Sequence, residues 1–188
     1  MRFGFMDHLP CAEWQSEGQR YSDILAQIEL GDRVGFDTVW LAEIHFFPNV
    51  SRIASPLTVL AAAAQRTQRI RLGTAVTLLP LHNPLKIAED AATVDILSGG
   101  RLELGLGRGA APSMYAAYNV PIAESRERFE ESLAVIRQAW ASERLTFQGK
   151  YVHVQDVQVF PRPVQKPHPP IRIAANSPET YGIAGHLG

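Results

Sequence analysis

The sequence predicts an α/β fold and, within that class, a (β/α)₈ TIM barrel of which about the first five βα units are present in this chain. Short apolar, β-rich runs alternate with helical segments. Each run is apolar on both faces, as parallel strands buried under helices are. The first four runs recur every ~30–35 residues, the unit size expected when about 250 residues make eight βα repeats. The rival, an open doubly wound sheet, usually carries a glycine-rich phosphate turn directly after its first strand. Met6-Asp7-His8-Leu9-Pro10 has no glycine there.

Taken in order, Phe3 to Met6 reads as a buried first strand that ends in polar Asp7 and His8. Ser22 to Val34 carries Ile24, Leu25, Ile28 and Val34 at helical spacing, and Gly35 supplies the C′ stop. Phe36 to Leu41 is a second strand leading into Ala42-Glu43-Ile44-His45. Ser55-Pro56 opens a helix in the N-cap/N1 arrangement and continues through an alanine block to Gln65. Ile70 to Leu79 is almost continuously apolar and reads as a third strand. Asn83-Pro84 caps the next helix, Ser98-Gly99-Gly100 breaks it, and Arg101 to Leu106 forms a fourth strand. Glu127 to Trp140 is a helix with Phe129, Leu133, Ile136 and Trp140 on one face. Ile171 to Ala175 makes a fifth strand, after which Ser177-Pro178 opens a last helix. Residues 141–170 are expected to be an insertion between strands four and five, a small hairpin plus an extended connector, within a single domain spanning 1–188. Its prolines, Pro161 to Pro170, forbid a helix.

The totals exclude several classes. A net charge of −1 with 20% charged residues gives no electrostatic footprint for a nucleic-acid partner. The longest apolar stretch, Leu57 to Ala64, is far short of the roughly 20 residues that a membrane span needs. The amino terminus lacks the apolar region of a secretory signal. The single Cys11 excludes an internal disulfide and suits a reducing compartment, so a cytoplasmic location is expected.

In a barrel, the residues just past each strand meet at one rim, where chemistry is assembled. Asp7 and His8, Glu43 and His45, His82 and Asn83, Arg108, and Asn176, Ser177 and Thr180 all fall there. Glu43 and His45 are candidates for acid–base work, since histidine titrates near neutral pH; a carboxylate that satisfies rim N–H groups is the bland alternative. In Gly105-Leu106-Gly107-Arg108-Gly109 the glycines permit close backbone approach, and the arginine fork matches phosphate. The helix start at Ser177-Pro178-Glu179-Thr180 offers free N–H groups and hydroxyls to an anion. Together they suggest a phosphate clamp and hence a phosphorylated cofactor such as a flavin mononucleotide. The six scattered histidines show no metal-ligand spacing, and no metal is expected.

Several blocks together resemble the bacterial luciferase-like monooxygenases. They are Gly35-Phe36-Asp37-Thr38-Val39-Trp40-Leu41-Ala42-Glu43-Ile44-His45-Phe46, then Gly73-Thr74-Ala75-Val76 with Leu79-Pro80 and Ala88-Glu89-Asp90. Asp95 to Gly109 follows, and Pro163-Val164-Gln165-Lys166-Pro167 leads to Ser177-Pro178-Glu179-Thr180. The resemblance implies a barrel that binds reduced FMN, or a deazaflavin in some branches. Reduced FMN would come from a separate flavin reductase, with molecular oxygen used to oxidise a small organic substrate. It implies that Arg108, Ser177 and Thr180 hold the flavin phosphate with help from Asn176, and that Glu43 is a rim carboxylate near the flavin. It also implies a non-proline cis peptide at Ala75-Val76 beneath the flavin ring, and a homodimer. Two departures point to a non-luminescent member. Ile44 stands where luciferase has its catalytic histidine, leaving only His45, and Gly107 stands where luciferase has a reactive cysteine.

A closed barrel needs about 250 residues, so the sequence is expected to be part of a longer chain. A short paralogue and a fragment that assembles with another copy are the other readings. Flavin binding without catalysis and deazaflavin-dependent hydride transfer are the alternatives to monooxygenation.

Overall fold

The computed structural model describes residues 1–175 together with Tyr181, Gly182 and Gly185. The strands are β1 (Gly4–Asp7), β2 (Thr38–Leu41), β3 (Arg71–Thr74), β4 (Thr77–Leu78), β5 (Leu102–Gly107), β6 (Leu145–Gln148), β7 (His153–Val157) and β8 (Ile171–Ile173). The helices are α1 (Glu17–Val34), α2 (Pro56–Ala64), α3 (Pro84–Leu97), α4 (Pro112–Ala117) and α5 (Ser125–Ala141). β1, β2, β3 and β5 pair in that order, β4 continues the β3 side of β5, and β8 pairs with the other side; every pairing is parallel. This is the arc of a barrel wall, with helices on its outer face.

Strand alternation decides which residues face which layer. Val39, Leu41, Leu72, Leu102, Leu104 and Leu106 join Ile24, Ile28, Leu60, Ala88, Ala91 and Ile136 in one buried cluster, so those side chains face the helices. Trp40, Glu103, Gly105 and Gly107 therefore lie on the opposite, inner face. Burying a Leu, Ile or Val side chain contributes about 1.5–3 kcal/mol, so this outer seam dominates the stability of the wall.

Differences from the sequence expectations have local causes. α1 begins at Glu17 rather than Ser22, because Ser16 accepts the Gln19 N–H at 3.1 Å and caps a polar first turn that has no apolar period to betray it. Gly35 ends the helix at φ 93°, returning its N–H to Gly31. Asn83 caps α3 by accepting the Leu85 N–H at 2.9 Å. Where the sequence suggests one strand from Ile70 to Leu79, the structure divides it. Leu72 lies opposite Leu102, thirty positions on, whereas Thr77 lies opposite Leu106, twenty-nine positions on. One extra residue is thus absorbed between β3 and β4, as in a bulge. Thr74 bridges the gap: its hydroxyl donates to the Gly105 carbonyl at 2.7 Å and accepts the Gly105 N–H at 2.9 Å. The Ala75–Val76 peptide that follows is cis.

β6 and β7 form an antiparallel hairpin beside α5. The proline-rich connector is pinned to the wall by Gln165, whose backbone and side-chain amides both donate to Asp95, at 2.9 and 2.7 Å. Among the described residues no helix is long and apolar enough to cross a membrane.

Candidate active site

The segment after β2 leaves the sheet at Ala42, whose N–H donates to the Asp7 carbonyl, and turns back where the Ile44 N–H donates to Ile53. This turn buries Glu43 and His45, each only 5% exposed. A buried carboxylate needs partners, and Glu43 has three. Its Oε1 accepts from His45 Nε2 at 2.7 Å and from His82 Nε2 at 2.6 Å, and its Oε2 accepts the Leu78 N–H at 3.1 Å. Burial alone would push the Glu43 carboxyl upward. The hydrogen bonds from His45 and His82, the His82 charge and the Leu78 N–H outweigh it and hold Glu43 below the ordinary carboxylate range. Glu43 is therefore an anion, and both imidazoles present an N–H at Nε2.

On the other side of His45, the Tyr118 hydroxyl lies 3.2 Å from Nδ1, and the two rings meet edge-on at 5.1 Å. Tyr118 follows α4, and its ring also touches Phe46 at 5.8 Å. Burial, and then the Glu43 charge, raise the Tyr118 phenol, so it keeps its proton. In a neutral His45 with its proton on Nε2, Nδ1 accepts the Tyr118 O–H. Tyr118, His45, Glu43 and His82 thus form one continuous chain of hydrogen bonds.

Glu43, His45 and His82 also have a composition that suits a divalent metal, with their ligand atoms within 4.8 Å of one another. The spacing of these residues along the sequence gives no sign of the convergence. Zinc ligands at about 2.0–2.1 Å in a tetrahedron stand about 3.3 Å apart. The observed 2.6 and 2.7 Å are hydrogen-bond separations.

A cavity of about 200 Å³ lies between the starts of α2 and α3, lined by Glu43, Ser55, Thr77, His82, Lys86 and Asp90 among others. The Thr77 hydroxyl is buried and has no hydrogen-bond partner among the described residues.

The second group of expected residues lies where β3, β4 and β5 meet. The cis Ala75–Val76 peptide packs against Gly107: a Cβ on Gly107 would stand 2.3 Å from Val76 Cγ2. A side chain at 107 would have to displace the Val76 methyl. Arg108 follows directly, half-buried, and its carbonyl accepts the Tyr115 hydroxyl. Its guanidinium makes no ion pair or hydrogen bond among the described residues, which leaves a cation available at the rim. Asp7, a weaker candidate, is engaged structurally: its carboxylate takes Arg20 Nη2 at 2.6 Å and the Leu9 N–H at 2.5 Å. His8 is exposed. Asn176, Ser177 and Thr180 lie outside the described residues.

A family profile described as luciferase-like monooxygenase matches residues 1–188. The chain belongs to that family. Monooxygenase RslO1 from Streptomyces bottropensis superposes with a TM-score of 0.94 at 35% identity, covering 100% of this chain and 57% of that one. The chain is therefore built on the luciferase-like TIM-barrel fold. The oxygenase component of a flavin-dependent trigonelline monooxygenase from Acinetobacter baylyi is 29% identical over 191 residues, covering 100% of this chain and 52% of its own length. An F420-dependent glucose-6-phosphate dehydrogenase from Kineococcus radiotolerans is 40% identical over 161 residues, covering 82% and 47%. The chain spans about half the length of these relatives. The family thus holds flavin-dependent monooxygenases and F420-dependent dehydrogenases alike.

Two members of the hydrogen-bonded chain were poorly visible in the sequence. His82 shares its rim with other polar loop residues, and nothing in its sequence neighbours marks it as a partner of Glu43. Tyr118 depends on α4, a six-residue helix too short to show a period; its Pro112 at the first helical turn is the sole signal.

Proposed function

We propose that this protein is a flavin-dependent monooxygenase that uses reduced FMN, supplied by a separate reductase, and molecular oxygen to oxidise a small organic substrate. The observation that carries this reading is a convergence on one rim. The Arg108 cation, unpaired among the described residues, the Ala75–Val76 segment against Gly107, and the anionic Glu43 with its two imidazoles all stand where the strands end. These residues fit a flavin phosphate and a proton-handling group side by side. The flavin supplies the oxygen chemistry when bound. Arg108 would hold its phosphate through charge-assisted hydrogen bonds, with Asn176, Ser177 and Thr180 completing the clamp. Ala75 and Val76 would support the ring through their backbone. Glu43 fixes the tautomer and orientation of His45, so that protons are moved at Nδ1. A homodimer and a cytoplasmic setting belong to the same reading.

Product analysis under ¹⁸O₂ with reduced FMN and a panel of aldehyde, amine and ring substrates tests it. One labelled oxygen in the product is the expected result; oxidation without label would overturn the monooxygenase reading. The 40% identity to an F420-dependent dehydrogenase favours a second reading, hydride transfer to a deazaflavin on the same scaffold. Binding of F420 but not FMN would select it.

A further inference from the structure

We infer that Tyr118 is the group that exchanges a proton with the molecule reacting at the rim, and that His45, Glu43 and His82 act through it as positioning residues. This rests on the reading of the rim as a flavin oxidoreductase site. His45 is 5% exposed and sealed by Phe46 and Tyr118, so a substrate cannot reach its ring without displacing them. Tyr118 is 36% exposed, and beside it stands Phe46, 61% exposed, so the phenol and an aromatic face are together open to an incoming molecule. Of the hydrogen-bonded chain, Tyr118 is the member that meets solvent on this side, while the His82 side chain, 27% exposed, meets it at the other end.

The direction of proton movement follows from the donors already fixed. Glu43 accepts from both Nε2 atoms, so a neutral His45 has its lone pair at Nδ1, facing the Tyr118 hydroxyl at 3.2 Å. A proton leaving the reacting molecule bonds to the Tyr118 oxygen while the tyrosine's own proton passes to His45 Nδ1. The reacting molecule keeps the electron pair, and Tyr118 ends neutral as it began. His45 becomes an imidazolium whose Nε2–H already lies on the Glu43 carboxylate. The reverse step returns the proton to a product. His82 holds the second donor position on the same carboxylate oxygen, and so fixes Glu43 from the side of the 200 Å³ cavity that it lines with Thr77.

The test uses the protein with ¹⁵N-labelled histidine and its Tyr118→Phe variant, which removes only a partly exposed hydroxyl. In the wild type, His45 is expected to be protonated at Nε2, with Nδ1 shifted by an accepted hydrogen bond. Tyr118→Phe should move the Nδ1 resonance and leave Nε2 in place. Reoxidation of bound reduced FMN by oxygen, without organic substrate, should be slower in deuterium oxide for the wild type. In the variant it should slow on the order of 10²-fold, with FMN affinity unchanged. His82→Ala gives a second check, moving the His45 Nε2 resonance instead. A proton found on Nδ1 of His45, or an Nδ1 resonance and reoxidation rate untouched by Tyr118→Phe, overturns the inference. If wild-type protein fails to bind FMN, the underlying flavin reading falls. If it binds FMN and only the histidine signals fail, the Tyr118 route alone falls.

Discussion

The two ends of the strands differ in how completely their polar groups are paired. At the amino-terminal ends, Arg101 donates to the Ala64, Thr67, Ile70 and Ser98 carbonyls and to the Thr67 hydroxyl. Asp32 accepts the N–H groups of Gln68, Arg69 and Ile70 at 3.1, 2.9 and 2.7 Å. Glu103 is bracketed by Arg71 at 2.6 Å and Arg172 at 2.9 Å. These charges are spent on the backbone or on one another, and they lock the turns between helices and strands. At the carboxyl-terminal ends, Arg108 is left unpaired among the described residues, Thr77 has a buried hydroxyl without a partner, and one buried carboxylate holds two imidazoles. Among the described residues, the Arg108 guanidinium and the Thr77 hydroxyl are left without a partner at the carboxyl-terminal ends, and both lie in the candidate site.

Arg101→Ala should break this contrast most visibly. Losing five charge-assisted hydrogen bonds and leaving several carbonyls unpaired should cost about 3–4 kcal/mol in denaturant unfolding. FMN affinity in the surviving folded protein should be unchanged.

Asp32→Ala should cost somewhat less, about 2–3 kcal/mol at neutral pH, and it carries a pH signature. Burial pushes the Asp32 carboxyl up, but the three backbone N–H groups and Arg69 bring it below its ordinary value. A carboxylate depressed in the folded state contributes fully above its unfolded value, about 3.9, and loses that contribution as pH falls through the folded one. The stability gap between wild type and variant should therefore be constant near neutrality and close below about pH 4. A gap that persists in acid would show that shape, and not charge, is what Asp32 supplies.

Thr74→Val sharpens the comparison at the boundary between the two regions. It strands the Gly105 N–H and C=O where β3 gives way to β4, for about 1–3 kcal/mol. Its effect should appear in denaturant unfolding, because Thr74 is the side chain that ties β3 to β5 where β4 begins.

The sequence showed the frame more readily than the site, for physical reasons. Apolar periodicity reports burial over many residues, so the alternation of strands and helices, the Asn83-Pro84 and Ser55-Pro56 starts and the Gly35 stop could be read directly. The division of Ile70 to Leu79 could not, because an extra residue in an apolar run leaves the pattern unbroken. Glu43, His45, Ala75, Val76 and Arg108 were legible as rim residues or by resemblance. That Glu43 would bind His82 was not, since the pairing spans 39 positions and arises only when β2 and β3 lie side by side. Tyr118 was invisible, as its position is set by a single short helix. The Gly107 departure also acquires a context from packing: a Cβ there would crowd the Val76 methyl, so a larger residue needs Val76 to move.

The smallest expected effect on stability is also the most direct test of the flavin reading. Arg108→Ala should change unfolding free energy by no more than about 0.5 kcal/mol, because its half-buried side chain has no partner among the described residues. A flavin-fluorescence titration of wild type and variant with FMN is the measurement to make. Saturable quenching by the wild type, with binding weakened about 10–100-fold in the variant through loss of a charge-assisted phosphate contact, is the expected result. No saturation in the wild type, or equal affinity in the two proteins, would contradict the phosphate clamp and the flavin site built on it.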